Sequence, residues 1–216
     1  MMQPASVFRT DHDATNSPTT RSRRVAYWVS QIASPPVLGV AVTMVAAAAL
    51  ATPAAWLWSV IYLVLAIGVP CLYIVWLVWR GELADVHLPV REQRIRPMLC
   101  AVGAALAAWV VLNLAAAPRL LQSIAAVNSV QSVLFVLITL RWKISLHTAT
   151  SANLTVLGLG LMGSPALPLV ALTPLVALTP LVAWARIQLQ RHTLGQTFAG
   201  ATLGAALVIA ALWYVA

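Results

Sequence analysis

The chain has 216 residues, 61% of them apolar and only 8% charged, with a formal net charge of +8. Soluble domains carry about 25% charged residues, so this balance excludes an ordinary water-soluble globule. The basic excess does not indicate a nucleic-acid partner, because the arginines fall in short segments between apolar runs, where positive charge sets topology or meets anionic lipid.

Residues 1–30 read as a disordered basic tail, Ser-, Thr- and Asn-rich and without an apolar period through Val25. The cluster Arg21, Arg23, Arg24 followed by the apolar stretch Val37 to Ala51 resembles the start of a secretory signal. At about 50 residues it greatly exceeds the usual 15–30, so a retained first helix is expected. Residues 31–216 read as a transmembrane helical domain. A run of about 20 apolar residues crosses a hydrocarbon core of roughly 30 Å as a helix, and the chain contains a series of such runs without Asp, Glu, Lys or Arg.

The pattern predicts helices at 36–52, 55–79, 98–116, 120–140, 148–163, 167–185 and 194–215. Thr52-Pro53, Pro118-Arg119 and Gly163-Ser164-Pro165 are the breaks between them. The fold class is therefore all-α, a polytopic bundle of about six to seven helices. Trp76, Trp79, Trp142 and Trp184 suit the membrane interface. The 167–185 helix repeats PLVALT at 168–173 and 174–179 and restarts at Pro180. Neighbouring helices satisfy the carbonyls that such prolines release. Gly195, Gly200 and Gly204 fit close helix packing. Cys71 and Cys100 sit in or beside apolar runs and read as buried thiols, with no disulfide, metal or other cofactor implied.

Alternating the sides of seven helices puts the tail, the 80–96 loop, the 141–147 link and the 186–193 segment on one face. Of thirteen basic residues only Arg119 falls on the other, and all five acids and four histidines stay on the tail side. The positive-inside rule then makes the charged face cytoplasmic. No charged or Asn-rich position is expected mid-membrane, which argues against a small transporter.

Three charged segments meet on that face. They are Asp85 to Pro97, with Arg91, Arg94 and Arg96; Lys143 to His147, with Ser145; and Arg186 to Gln196, with His192. Guanidinium forks match phosphate oxygens. A histidine among them can attack phosphorus or protonate a leaving oxygen, and phosphoryl transfer asks mainly for positioning and charge stabilisation.

The third segment resembles the Arg-x5-His core of the type 2 phosphatidic acid phosphatase (PAP2) superfamily, whose signature reads K-x6-R-P, P-S-G-H and S-R-x5-H-x3-D. Arg96-Pro97 matches the end of the first motif, Ser145 and His147 the second, Arg186 and His192 the third, in order over residues 55–212. The resemblance implies His192 as nucleophile and His147 as general acid, with Arg96, Arg186 and Ser145 holding the phosphoryl oxygens and no metal. Pro89 stands where the first-motif lysine belongs, so Arg91, Arg94 or Lys143 would supply that charge. Ile144, Leu146 and Ala185 replace further motif residues. Gln196 replaces the aspartate that would orient the nucleophile; it accepts a hydrogen bond but adds no charge, and Asp85 is the acid nominated to substitute. The implied activity is hydrolysis of a lipid phosphate or polyprenyl (di)phosphate through a phosphohistidine, with the membrane lipid as substrate. The alternatives are transfer to an alcohol and an inactive lipid-binding or scaffold relative.

Overall fold

The computed structural model describes residues 20–82, 95–162 and 172–215. Among the described residues there is no strand. The helices are α1 (Thr20–Ile32), α2 (Pro35–Leu50), α3 (Pro53–Leu63), α4 (Val69–Trp79), α5 (Ile95–Leu114), α6 (Arg119–Thr139), α7 (Leu146–Gly160), α8 (Leu172–Gln188) and α9 (Leu194–Val215). Helices α3 and α4 are continuous through a π-helical segment, Val64–Gly68, and form the single span expected there. Pro70 explains that segment. It has no N–H for the Ala66 carbonyl and its ring crowds that turn, and the preceding Val69 N–H bonds back to Val64 O, five residues away.

Among the described residues, four spans are long and apolar enough to cross a membrane: Pro53–Trp79, Ile95–Leu114, Arg119–Thr139 and Leu194–Val215. A fifth is added if α1 and α2, bent by 49°, count as one. The sequence pattern predicts seven. The difference lies in α7 and α8, whose 15 and 17 residues make them ~22 and ~26 Å long; the 163–165 break lies outside the described residues. The tail expectation is corrected over 20–30. That stretch is helical because Ala26 and Ser30, one turn apart, are buried in α1, which packs on α8; composition alone does not register such a contact. Residues 1–19 lie outside the described residues.

The bundle is apolar outside and partly polar inside. Leu72, Trp79, Leu114, Trp213 and Tyr214 are exposed, while Thr43, Ser59, Gln131, Thr148, Ser151 and Thr197 are buried. In water such a surface would aggregate; in lipid, where only backbone and side-chain partners can satisfy polar groups, it is the stable arrangement.

Helix ends close themselves. At the charged end of α4, Gly81 (φ 73°) lets Glu82 N–H reach Leu77 O at 3.0 Å and Gly81 N–H reach Val78 O at 2.9 Å, a Schellman closure. Ala116 does the same after α5, with Pro118 following. At the charged end Met98 of α5, Phe135 of α6, Ala149 of α7 and Ala199 and Leu203 of α9 form one apolar cluster, so these ends of α5, α6, α7 and α9 gather there. Arg119 opens α6 at the opposite end.

Helix α7 packs most closely on α9, and on α2 and α8. A Cβ on Gly200 would meet the Ser145 carbonyl and lie 2.6 Å from Thr148 Oγ1; one on Gly204 would meet the Ala149 carbonyl and lie 2.7 Å from Asn153 Oδ1. These two glycines serve the packing expected of them. Gly195 does not, since nothing lies within 4 Å of its Cβ position. Gly204→Val is expected to lower stability in detergent by about 1–3 kcal/mol, read as a lower melting temperature. Gly103→Ala, where the Cβ position is open, should leave melting unchanged or raise it.

Candidate functional site

The Arg186-x5-His192 spacing has a backbone cause. Helix α8 ends on Gln190 in the left-handed conformation (φ 54°). Gln190 N–H bonds to Ile187 O at 2.8 Å and Arg191 N–H to Arg186 O at 3.0 Å, the two bonds of a Schellman turn. His192 N–H also points at Arg186 O, at 3.4 Å. The chain folds back on itself, so His192 returns to the level of Arg186 before α9 begins.

Helix α9 opens with a capping box, Thr193-x-x-Gln196. Gln196 N–H bonds to Thr193 Oγ1 at 3.4 Å, and Thr193 N–H to Gln196 Oε1 at 3.2 Å. The same Oε1 lies 3.2 Å from His192 Nδ1. A backbone N–H is an unambiguous donor, so the Gln196 atom is an acceptor and His192 Nδ1 must carry the proton. In the neutral form of the ring the lone pair then lies on Nε2. The sequence contains the T-x-x-Q signal for this cap, but the motif comparison drew attention only to the missing aspartate.

His147 sits in the first turn of α7, outside the four spans, and hydrogen-bonds the backbone of Ser30. Burial, then the charge of Arg186 and then that of His192, hold its pKa down to about 3, so it is neutral at pH 7. Arg186 Nη1 donates to Ser30 Oγ at 2.7 Å. Ser30 of α1 thus touches both His147 and Arg186, a role that sequence reading of the tail missed. Lys143, Arg191, Arg186, His147 and His192 all line one cavity.

Other nominated residues are elsewhere. Ser145 is fully buried and does not line the cavity; its hydroxyl accepts from Thr148 N–H at 3.4 Å as the cap of α7, and its own N–H bonds to Gln196 O at 3.3 Å. Arg96 is exposed and bound to Glu82 at 3.1 Å, beside the Arg80–Glu82 pair at 3.4 Å. The structure therefore brings together His147, His192, Gln196, Arg186 and Lys143, and leaves Ser145 and Arg96 out. Ser145 is taken by helix capping and Arg96 by its acidic neighbour. Asp85, Arg91 and Arg94 lie outside the described residues.

The cavity has a volume of about 800 Å³ and runs from the charged mouth into the bundle. Its deeper wall carries Tyr62, Asn128, Gln131 and Asn153. Tyr62 bonds to Asn128, and the Gln131 and Asn153 amides meet at 3.1 Å. Turning the Asn153 amide points its nitrogen at the Ala149 and Gly204 carbonyls, at 3.0 and 3.1 Å. The expectation of no Asn-rich position mid-membrane is thus corrected. These residues are scattered over α3, α6 and α7 and meet only after folding; the Asn128/Gln131 spacing on one face of α6 was the available signal. Among the described residues, no three His, Cys, Asp or Glu side chains are grouped to hold a metal.

A pH test follows from His147. Its folded pKa lies below the ordinary histidine value of 6.5, so between about pH 6.5 and 3 the unfolded chain binds a proton that the folded chain refuses. Stability from this group is complete above pH 6.5 and falls with acidification by at most about 1.4 kcal/mol per pH unit. Melting at pH 7.5 and 5 is expected to show that slope, reduced in His147→Gln.

Comparison with family models, with curated proteins and with solved structures gives no match to this chain.

Proposed function

We propose that the protein is a multi-pass membrane phosphatase of PAP2 type. It would act on a lipid phosphate or polyprenyl (di)phosphate whose headgroup enters the charged mouth and whose tail follows the cavity into the bundle. The observation that carries this reading is the His192 imidazole, with Nδ1 held by Gln196, beside His147 and Arg186 at the mouth of a cavity that runs into the bundle.

In this reading Nε2 of His192 attacks phosphorus, the bond from phosphorus to the leaving oxygen breaks, and His147 supplies the proton that oxygen needs. Water then attacks the phosphorus–nitrogen bond, His147 takes up the water proton, and phosphate and neutral His192 result. His147 must enter the first step protonated. A phosphate dianion between it and Arg186 would favour the protonated form against the burial and the Arg186 charge that hold its pKa down. Arg186 and Lys143 hold the phosphoryl oxygens, and Arg191 lies beside them. The bundle would have seven spans, with α7 and α8 as a hairpin that returns His147 and Arg186 to one face. That face would be cytoplasmic. A cysteine introduced at Glu82 in a Cys71→Ala, Cys100→Ala background should then be shielded from a membrane-impermeant thiol reagent in intact cells.

A second reading is a protein that binds lipid phosphate without turning it over. The burial of Ser145 and the pairing of Arg96 with Glu82 favour it, since both groups belong to the phosphate-holding set that the resemblance implies. Phosphate release from a panel of lipid phosphates separates the two. His192→Ala and Arg186→Ala are each expected to cost at least about 100-fold, while Arg96→Ala changes little. Gln196→Glu keeps the cap, places a carboxylate on the imidazolium that forms, and should speed release. Equal release by wild type and His192→Ala would sink the nucleophile assignment; binding without release from any substrate would establish the second reading.

A further inference from the structure

We infer that the cavity holds a second, uncharged recognition site beneath the anion site, formed by Tyr62, Asn128 and Gln131 and anchored by Asn153. Its ligand is a neutral hydrogen-bonding group, an ester or amide carbonyl or a hydroxyl, on the molecule whose anionic head occupies the mouth. The inference deepens the proposed function, on which the identity of that molecule rests, by favouring an acyl-ester or acyl-amide lipid over a polyisoprenoid.

The depth comes from helix geometry. Asn153 follows His147 by six residues on α7, about 9 Å along the axis, and meets Gln131 of α6 at 3.1 Å. Asn128 lies one turn further from the charged end of α6, and Tyr62 of α3 bonds to it. The polar groups therefore form a short ladder down one wall, beginning about 9 Å below the histidine. Thr150, one turn below His147 on α7, lines the cavity between the two sites.

Polar side chains in a bundle often serve only to join helices. Asn153 does so, since its amide nitrogen reaches the carbonyls of Ala149 and Gly204 where α7 and α9 touch. Tyr62, Asn128 and Gln131 border an open volume of about 800 Å³, and among the described residues no contact of theirs ties them to backbone carbonyls as Asn153 is tied. Each has a side-chain neighbour, Asn128 with Tyr62 and Gln131 with Asn153. An amide has four hydrogen-bonding positions and a phenol three, so one neighbour each does not exhaust them. A purely hydrocarbon tail laid across this wall would leave amide groups facing apolar atoms, which is costly. A carbonyl or hydroxyl at that depth meets them with a partner. Ala66, Ile67 and Pro70, on the same continuous helix as Tyr62, also line the cavity and offer apolar side chains to the adjoining chain.

The test uses the full-length protein in detergent and two non-hydrolysable phosphonates of equal chain length, one with ester-linked and one with ether-linked chains. Binding is read by tryptophan fluorescence. Wild type is expected to prefer the ester by about tenfold, equivalent to 1.4 kcal/mol, and Gln131→Leu and Asn128→Leu to remove the preference while keeping affinity for the ether. Equal affinity of wild type for both phosphonates overturns the second site, and needs no variant to fold. Because the readout is binding, a protein that prefers the ester yet releases no phosphate retains this site and loses only the phosphatase reading. Failure to bind either phosphonate overturns both.

Discussion

The contact between α7 and α9 is the constraint on which the rest of the site depends. Gly200 and Gly204 have no Cβ, so the α9 backbone lies against the carbonyls of Ser145 and Ala149. Ser145 N–H bonds across to Gln196 O at 3.3 Å, tying the first turns of the two helices together. Any side chain larger than hydrogen at either glycine separates His147, on one helix, from His192, just ahead of the other. In a membrane, where apolar burial does not drive helices together, such close van der Waals and hydrogen-bonded approach is a main source of association.

Two ordinary terminal motifs then place a reactive group without any special fold. The Schellman turn closes α8 and the capping box opens α9, with His192 in the residue between them. Each motif satisfies backbone groups that would otherwise be orphaned at a helix end. Their shared product is a histidine at the level of Arg186 with its tautomer set by Gln196. Gln196 orients the ring by a hydrogen bond and adds no charge.

Much of this was legible in the sequence because it depends on local rules. Long apolar runs gave four of the spans, Pro53 and Pro118 the breaks beside them, and small residues in the last helix the tight packing at Gly200 and Gly204. The Arg186 and His192 spacing was readable because one turn determines it. What escaped reading depends on contacts between distant segments. Thr20–Ile32 is helical because it leans on α8, and Ser30 joins Arg186 across 156 positions of chain. Arg96 looked like a phosphate ligand until Glu82 was found against it. Asn128 and Gln131 share one face of α6, but Tyr62 and Asn153 join them from other helices, and that meeting is not written in any single window of the chain.

Gln190 has one further consequence. Its left-handed backbone costs a residue with a side chain of the order of 1 kcal/mol, and glycine would occupy the position without that cost. Glycine, however, moves readily between both signs of φ, and a hinge of that kind two residues before His192 would let the imidazole wander. With glutamine the positive-φ region is a narrow well, reached only when the Schellman bonds hold it there. The turn gives up some stability and gains a fixed bearing for the ring.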